Sequence, residues 1–576
     1  MVYCGKPSRG CQMCRTRRIK CDETKPTCNQ CAKSRRQCPG YKHDFDLVFR
    51  NETQATERRA RKSQKAASQK LRNGQAGASS SSKDADAGSE SQSAESVSKE
   101  VSITTPRNSR ALQMAPDQQA SCHFVSNFVM VSRQGFSPGW MNYLMPLLKI
   151  DRIPESLRLA FTACSFASIG NRVGGGNTFA RMAIAQYTQA LSATHKALQD
   201  PATALTDATL ASTLLLGVYE AISANRIGSM AWGSHIEGAI QLVKARGRSQ
   251  LKTKVGVMLF STVRTQMIGF MHANQTPPTM SAEWWTSGDT HDTTACATQR
   301  LSIRVGELRA EVNRLLSTLD RTPDNIQLML DLMRRCQMMD QELANWFHDA
   351  PPHYTYKTAA WEDNVPNGDY FKAEVYPGRV DLYQDLWVAS VWNNVRTSRI
   401  LLSSSIVRCA AWICAPIDYR TTPEYAWVSR IARETITDII ASVPYLLGWF
   451  SKRKHLLERT GLSSFGCGDE DAQKALPGLQ LSWPLVCIQN QDFISDSERA
   501  WVKGRLHFIN EQLGVRSAGL LGQLNLRMPS MLIRRDGTMA NLTAGVGFEK
   551  MLRGKASNDV GSFFTARRGQ VTDQGE

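Results

Sequence analysis

Nowhere in the 576 residues is there a run of eighteen uncharged apolar positions; the best candidate, Ile400 to Ile417, is broken by Arg408 and three serines. A helix needs about twenty apolar residues to cross a bilayer, so no membrane role is expected. The N-terminus also lacks the apolar stretch and small-residue cleavage site of a secretory leader. A soluble, non-secreted chain is therefore expected, in a reducing compartment where clustered thiols favour metal over disulfides. Alternating strand patterns bounded by turn dipeptides are scarce. Catalytic signatures are missing too. His235 and Glu237 have no HExxH spacing around them, and Gly174-Gly175-Gly176 after Val173 lacks the Gly-Lys-Ser/Thr ending of a phosphate loop. With no nucleophile, base and orienting group at usable spacing, an enzyme is not expected and no catalytic residue is assigned.

What is present is cation at one end. The formal charge is +18, and residues 1–50 hold twelve Lys or Arg against four Asp or Glu. Residues 51–72 add seven cations against two acids. Thirteen of the eighteen net charges thus sit in the first eighth of the chain, which points to a polyanionic partner there. The length allows three or four domains, and 42% hydrophobic residues suffice for a sizeable core.

Within the cationic end, six cysteines fall as Cys11-x2-Cys14-x6-Cys21-x6-Cys28-x2-Cys31-x6-Cys38, one spacing unit used twice. A C-x2-C pair can place two thiolates on one metal ion, and a third cysteine six residues on can reach the same ion. Structural zinc takes four ligands in a tetrahedron, and each half supplies three. Two zinc ions are satisfied by six sulfurs if two of the sulfurs bridge. One binuclear cluster is expected, carrying a net charge of −2 when all six thiols ionise. Cys4 stands outside the repeat and reads as a free thiol. The segment between Cys14 and Cys21 holds Arg15, Arg17, Arg18 and Lys20 without an acid, and the matching segment after Cys31 holds Lys33, Arg35 and Arg36. Some of these cations offset the anionic core. The forked guanidinium also pairs with guanine O6 and N7, and both cation types neutralise phosphates, so the first half is taken as the reading half.

This motif closely resembles the fungal Zn2Cys6 binuclear cluster DNA-binding domain of transcription regulators. The resemblance implies two zinc ions held by Cys11, Cys14, Cys21, Cys28, Cys31 and Cys38 on two short helices, with Cys11 and Cys28 bridging. It places the base-reading cations at Arg17 and Arg18 and the phosphate contacts at Arg15 and Lys20, and puts Pro26 in the turn between halves. Arginine stands at both reading positions, where the family often has lysine. The flanks Tyr3 to Gly10, Pro39 to Tyr41 and Asp46 to Arg50 resemble one large branch of these regulators. Implied partners are double-stranded DNA at CGG-like half-sites and transcription coregulators, in the nucleus, often for metabolic or secondary-metabolite pathways.

Four segments follow along the chain: the cluster module at 1–50, a linker at 51–118, an α-helical body at 119–530 and a weakly ordered tail at 531–576. In the linker, Arg58, Arg59, Arg61 and Lys62 read as a nuclear-import run with phosphate contacts, the alternative being a solvated charged segment. Its apolar positions, such as Ala55 and Leu71, are too few for a heptad seam, so a homodimer would be held elsewhere. Ala76 to Lys99, rich in Ser, Asp and Glu, cannot bury enough surface to order. The body shows apolar positions three and four apart over Leu205–Ile222, Trp232–Val243, Val255–His272, Leu301–Leu319, Asn325–Trp346, Leu382–Leu402 and Trp427–Leu447. About a dozen helices and a mainly-α fold are expected. Trp232-x2-His235-x2-Gly238-Ala239, Leu242, Arg246-Gly247, Trp483-Pro484-Leu485, Trp501-x3-Arg505-Leu506 and Leu513-Gly514-Val515 resemble the fungal-specific regulatory domain that accompanies such clusters. A lone helix histidine such as His235 reads as packed, and Cys409 and Cys414 read as buried thiols. The many tryptophans read first as core, with a pocket for a small-molecule effector as the alternative.

Overall fold

In the computed structural model, the described residues are 11–17, 19–22, 24, 27–38, 114–131, 139–172, 176–224, 232–287, 293–456 and 473–538. The import run, most of the linker, Pro26 and Arg18 lie outside them.

Two short helices carry the cysteine segment, α1 (Gln12–Thr16) and α2 (Asn29–Lys33). The body then runs α3 (Pro116–Phe128), α4 (Leu144–Leu147), α5 (Glu155–Arg172), α6 (Gly176–Gln199), α7 (Asp207–Ser223) and α8 (Trp232–Arg246). Next come α9 (Lys254–Asn274), α10 (Ala282–Thr286), α11 (Thr293–Thr318) and α12 (Pro323–Asp349). A hairpin of β1 (Tyr356–Glu362) and β2 (Gly378–Tyr383) precedes α13 (Leu386–Cys414) and α14 (Pro423–Leu446). The last helices among the described residues are α15 (Ala475–Gln489), α16 (Asp496–Glu511), α17 (Arg516–Gly522) and α18 (Ser530–Arg535). Twelve of the body helices have thirteen or more residues, and the mainly-α expectation holds.

Local chemistry sets the helix ends. The Thr206 hydroxyl accepts from the Thr209 N–H and starts α7, which is buried along almost its whole length. Leu205, expected on its apolar face, precedes that cap and is exposed. Gly247, at φ +61°, ends α8, where Arg246 pairs with Asp207. Ser495 and Glu498 form a reciprocal capping box at α16.

The 29-residue α13 packs against α11, α12, α14 and α15 and is buried on nearly every side. Its serines hide their polarity by bonding back to the preceding turn, as when Ser403 Oγ donates to the Ile400 carbonyl at 2.8 Å. Arg396, fully buried, donates to the Tyr383 hydroxyl at 2.7 Å and lies over the rings of Tyr356 and Trp392. Leu382, expected at the start of this helix, belongs instead to β2, because Asp385 caps the helix by accepting from the Val388 N–H at 2.8 Å. The hairpin is antiparallel with a bulge between Thr358 and Ala360.

One large core joins α3 and α5–α9 to α13–α16, and a second joins α11, α12 and α13 with Ile533 of α18. The tail was expected to be weakly ordered from 531, yet its first residues are docked. Leu532 and Ile533 are buried, and Asp536 accepts from Arg408 Nε at 2.7 Å and Nη2 at 3.1 Å. Residues 539–576 lie outside the described set. No helix among the described residues is long and apolar enough to cross a membrane.

Candidate metal centre and nucleic-acid interface

Each half of the cysteine repeat folds the same way. Cys11 and Cys28 immediately precede α1 and α2, and each sulfur accepts from the backbone N–H three residues on, that of Cys14 and of Cys31, at 3.4 Å in both cases. The free N–H groups of a helix start favour negative charge, so each turn suits a thiolate at that position. The loop between halves is tied by Asp22, whose carboxylate accepts from the Thr24 hydroxyl at 2.7 Å and from the Asn29 N–H at 3.1 Å. The Thr24 bond, then the Asn29 N–H, holds the Asp22 carboxyl below its usual range.

The six sulfurs converge as two four-sulfur sets. One is Cys11, Cys14, Cys21 and Cys28; the other is Cys11, Cys28, Cys31 and Cys38. Within each set the ligand atoms lie within 4.8 Å of one another, and Cys11 and Cys28 belong to both. Sulfur pairs Cys11–Cys28, Cys11–Cys31 and Cys14–Cys28 stand 3.7 Å apart. A tetrahedral ion with bonds of about 2.3 Å needs ligands about 3.8 Å apart. A disulfide needs about 2.05 Å, and none is formed by the described cysteines. The donor set therefore fits two tetrahedral zinc ions sharing an edge. Among the described residues no other group of three or more His, Cys, Asp or Glu is close enough to hold a metal, and Cys409 and Cys414 read as isolated thiols.

Burial pushes the metal-free thiols up, Cys31 to about 12 with the neighbouring sulfurs adding to the shift, and Cys14 and Cys28 in the same direction. A metal must displace those protons, so occupancy weakens as pH falls. Four of the six cysteines are fully buried, yet among the described residues partly buried Met13 is the one apolar side chain other than cysteine packed on them. Among the described residues, apolar burial contributes little to holding this module together.

Around this core the described cations face outward. Arg17 is exposed and donates from Nη1 to Ser34 Oγ at 3.2 Å, linking the halves; Ser34 was not singled out from the sequence. Lys20, Lys33, Arg35 and Arg36 are also exposed. Arg15 lies on α1, and nothing is described of its side chain; Arg18 lies outside the described residues.

In the body, Trp501 and Gly514, two of the residues resembling the regulatory domain, serve packing. Trp501 is fully buried beside Tyr376. Gly514, at φ +73°, lets its carbonyl accept from Asn171 Nδ2 at 2.9 Å, where an added Cβ would come within 2.9 Å of the Asn171 Cβ. His235 Nε2 lies 3.3 Å from the Tyr187 hydroxyl, and burial lowers its pKa to about 4.

A six-sulfur centre on two short helices, ringed by cations and followed by a large helical body, defines a zinc-cluster regulator. Two family models agree. The fungal Zn(2)-Cys(6) binuclear cluster domain matches residues 9–46, and the fungal specific transcription factor domain matches residues 121–365. The chain thus carries a fungal Zn2Cys6 cluster domain and a fungal transcription factor domain, and its centre is a binuclear zinc site. It is similar to transcription factor dbaG of Emericella nidulans, 22% identical over 391 residues, 67% of this chain and 86% of the relative. Over 34 residues, 6% of each chain, it is 68% identical to transcriptional regulatory protein C15D4.02 of Schizosaccharomyces pombe. Over 32 residues, again 6% of each, it is 66% identical to transcriptional regulatory protein moc3 of the same organism. No solved structure matches the chain significantly.

Proposed function

We propose that the chain is a nuclear, non-enzymatic, sequence-specific regulator of RNA polymerase II transcription that reads CGG-like half-sites in the major groove. The six cysteines are the zinc ligands, with Cys11 and Cys28 bridging. Arg17 and Arg18 read guanines, Arg15 and Lys20 neutralise phosphates, and Arg58, Arg59, Arg61 and Lys62 direct import. The cluster occupies 1–50, the linker 51–118, the regulatory body 119–530 and the tail 531–576. Coregulators dock on the body, any homodimer is held outside the linker, and the targets belong to a metabolic or secondary-metabolite pathway.

The observation that carries this reading is the sharing of Cys11 and Cys28 by both four-sulfur sets, beside exposed Arg17 and Lys20. The test compares the intact chain with Arg18→Ala by footprinting on randomised duplexes. Loss of one bidentate guanine contact costs about 1–3 kcal/mol of discrimination. An unchanged preference removes Arg18 from the role.

A second reading makes the body a small-molecule sensor that gates the DNA-bound protein. A cavity at the meeting of six helices supports it.

A further inference from the structure

Ser34 caps the C-terminal end of α2, and its hydroxyl is fixed by the turn it closes. The backbone N–H of Ser34 donates to the Gln30 carbonyl at 3.3 Å. Ser34 Oγ lies 2.8 Å from the same carbonyl oxygen and 3.2 Å from that of Cys31. A carbonyl oxygen only accepts, so the hydroxyl proton is committed to this last turn of α2. The Oγ lone pairs are left free to accept, and one takes a hydrogen bond from Arg17 Nη1 at 3.2 Å. Ser34 is half-buried there, while Arg17 is exposed.

Arg17 is held at its other end as well. Its backbone N–H donates to the Met13 carbonyl at 3.1 Å, and just beyond it the Ile19 N–H donates to the Cys14 carbonyl, also at 3.1 Å. Backbone and guanidinium are thus anchored to different halves of the cluster, seventeen residues apart in sequence. Among the described residues, no side-chain hydrogen bond of this kind holds Lys20, Lys33, Arg35 or Arg36. Ordering a long, free side chain on binding costs affinity, and a hydrogen bond made before DNA arrives removes part of that cost. The bond also selects an edge of the guanidinium. With Nη1 turned to Ser34, the Nε and Nη2 donors form the open parallel pair, and two parallel donors are what guanine O6 and N7 accept.

We infer that Ser34 is a positioning residue for base recognition, its hydroxyl holding the Arg17 guanidinium so that the Nε–Nη2 edge meets a guanine. The inference rests on the base-reading role proposed for Arg17 and adds the residue that sets its aim. The second half of the repeat then shapes sequence preference without touching a base.

The test selects bound duplexes from a randomised pool with the intact, zinc-loaded chain and with Ser34→Ala, Ser34→Thr, Arg17→Ala and the double variant. Two zinc ions per chain are expected throughout, since neither residue belongs to a four-sulfur set. Ser34→Ala is expected to lower the preference for one guanine about threefold or more, and Ser34→Thr, which keeps the hydroxyl, to restore it to within about twofold. In the Arg17→Ala background the Ser34 substitution should change nothing further at that position. A Ser34→Ala profile equal to the parent's overturns the inference, as does a Ser34 effect that persists without Arg17. So does a weakening that is uniform across sequences, a Ser34→Thr protein that matches Ser34→Ala, or loss of zinc from Ser34→Ala. If Arg17→Ala itself leaves the profile unchanged, the base-reading role of Arg17 falls and takes the inference with it. A preference lost in Arg17→Ala but kept in Ser34→Ala removes the role of Ser34 alone.

Discussion

Removing Asp536 should destabilise the whole helical body, although the residue lies just beyond the end of α18. Arg408 projects from the C-terminal third of α13 with 3% of its side chain exposed, and Asp536 has 7%. Two charge-assisted bonds join them, at 2.7 and 3.1 Å, and the third arm of the guanidinium donates to Asn313 of α11. Asp536→Ala leaves a buried cation facing its empty place, which costs about 3–5 kcal/mol. Unfolding entropy scales at about 2 cal/mol/K per residue, so for a body of about 400 residues this lowers the melting temperature by roughly 4–6 °C. Replacing both partners, as Arg408→Met with Asp536→Leu, removes the orphaned charge and should recover most of the loss. Calorimetry of the intact chain and the two variants decides. An Asp536→Ala protein melting within about 1 °C of the parent would refute the claim that this ion pair pins the tail.

Gly504→Ala should cost about 1–3 kcal/mol or more, since the added Cβ would stand 1.8 Å from the Phe371 carbonyl oxygen; urea unfolding of the purified variant measures it. Stability should also fall with acid. His235 is held at about 4 in the folded body, so the unfolded chain takes up a proton that the folded one refuses. Its contribution is complete above the unfolded value near 6.5 and declines below it, by about 2 kcal/mol at pH 5, with His272 adding in the same direction. Denaturation midpoints measured from pH 7 to 5 should drop accordingly, and His235→Gln should flatten the slope.

The cysteine repeat was legible in the sequence because metal geometry ties ligand number to spacing, which calls for two bridging sulfurs; that Cys11 and Cys28 are shared by both sets was implied by the family resemblance. Long helices were legible wherever a cap or a left-handed glycine marked the end, as at Arg246-Gly247. Boundaries failed where the periodicity ran on through a cap: Leu205 stands before Thr206, and Leu382 lies in a strand before Asp385. The hairpin escaped because the bulge at Thr358 and Ala360 breaks the alternation that identifies a strand. Docking of α18 was hidden among Gly and polar residues, since Asp536 becomes informative only beside Arg408. The cavity was equally invisible. Gln266 and His272 share α9 with apolar neighbours, and they meet Gln299 and Trp483 only when three helices pack. Trp285, Trp392, Trp412 and Trp449 fill the core as expected, whereas Trp361 is exposed and Trp387 lines the cavity.

The central claim, a zinc pair joined by two shared sulfurs, is tested most directly by native mass spectrometry of the intact chain and two single variants. Two zinc ions are expected in the parent, one in Cys38→Ala, whose sulfur belongs to a single set, and none in Cys28→Ala, whose sulfur belongs to both. A parent carrying one zinc, or a Cys28→Ala protein that keeps one, would contradict it.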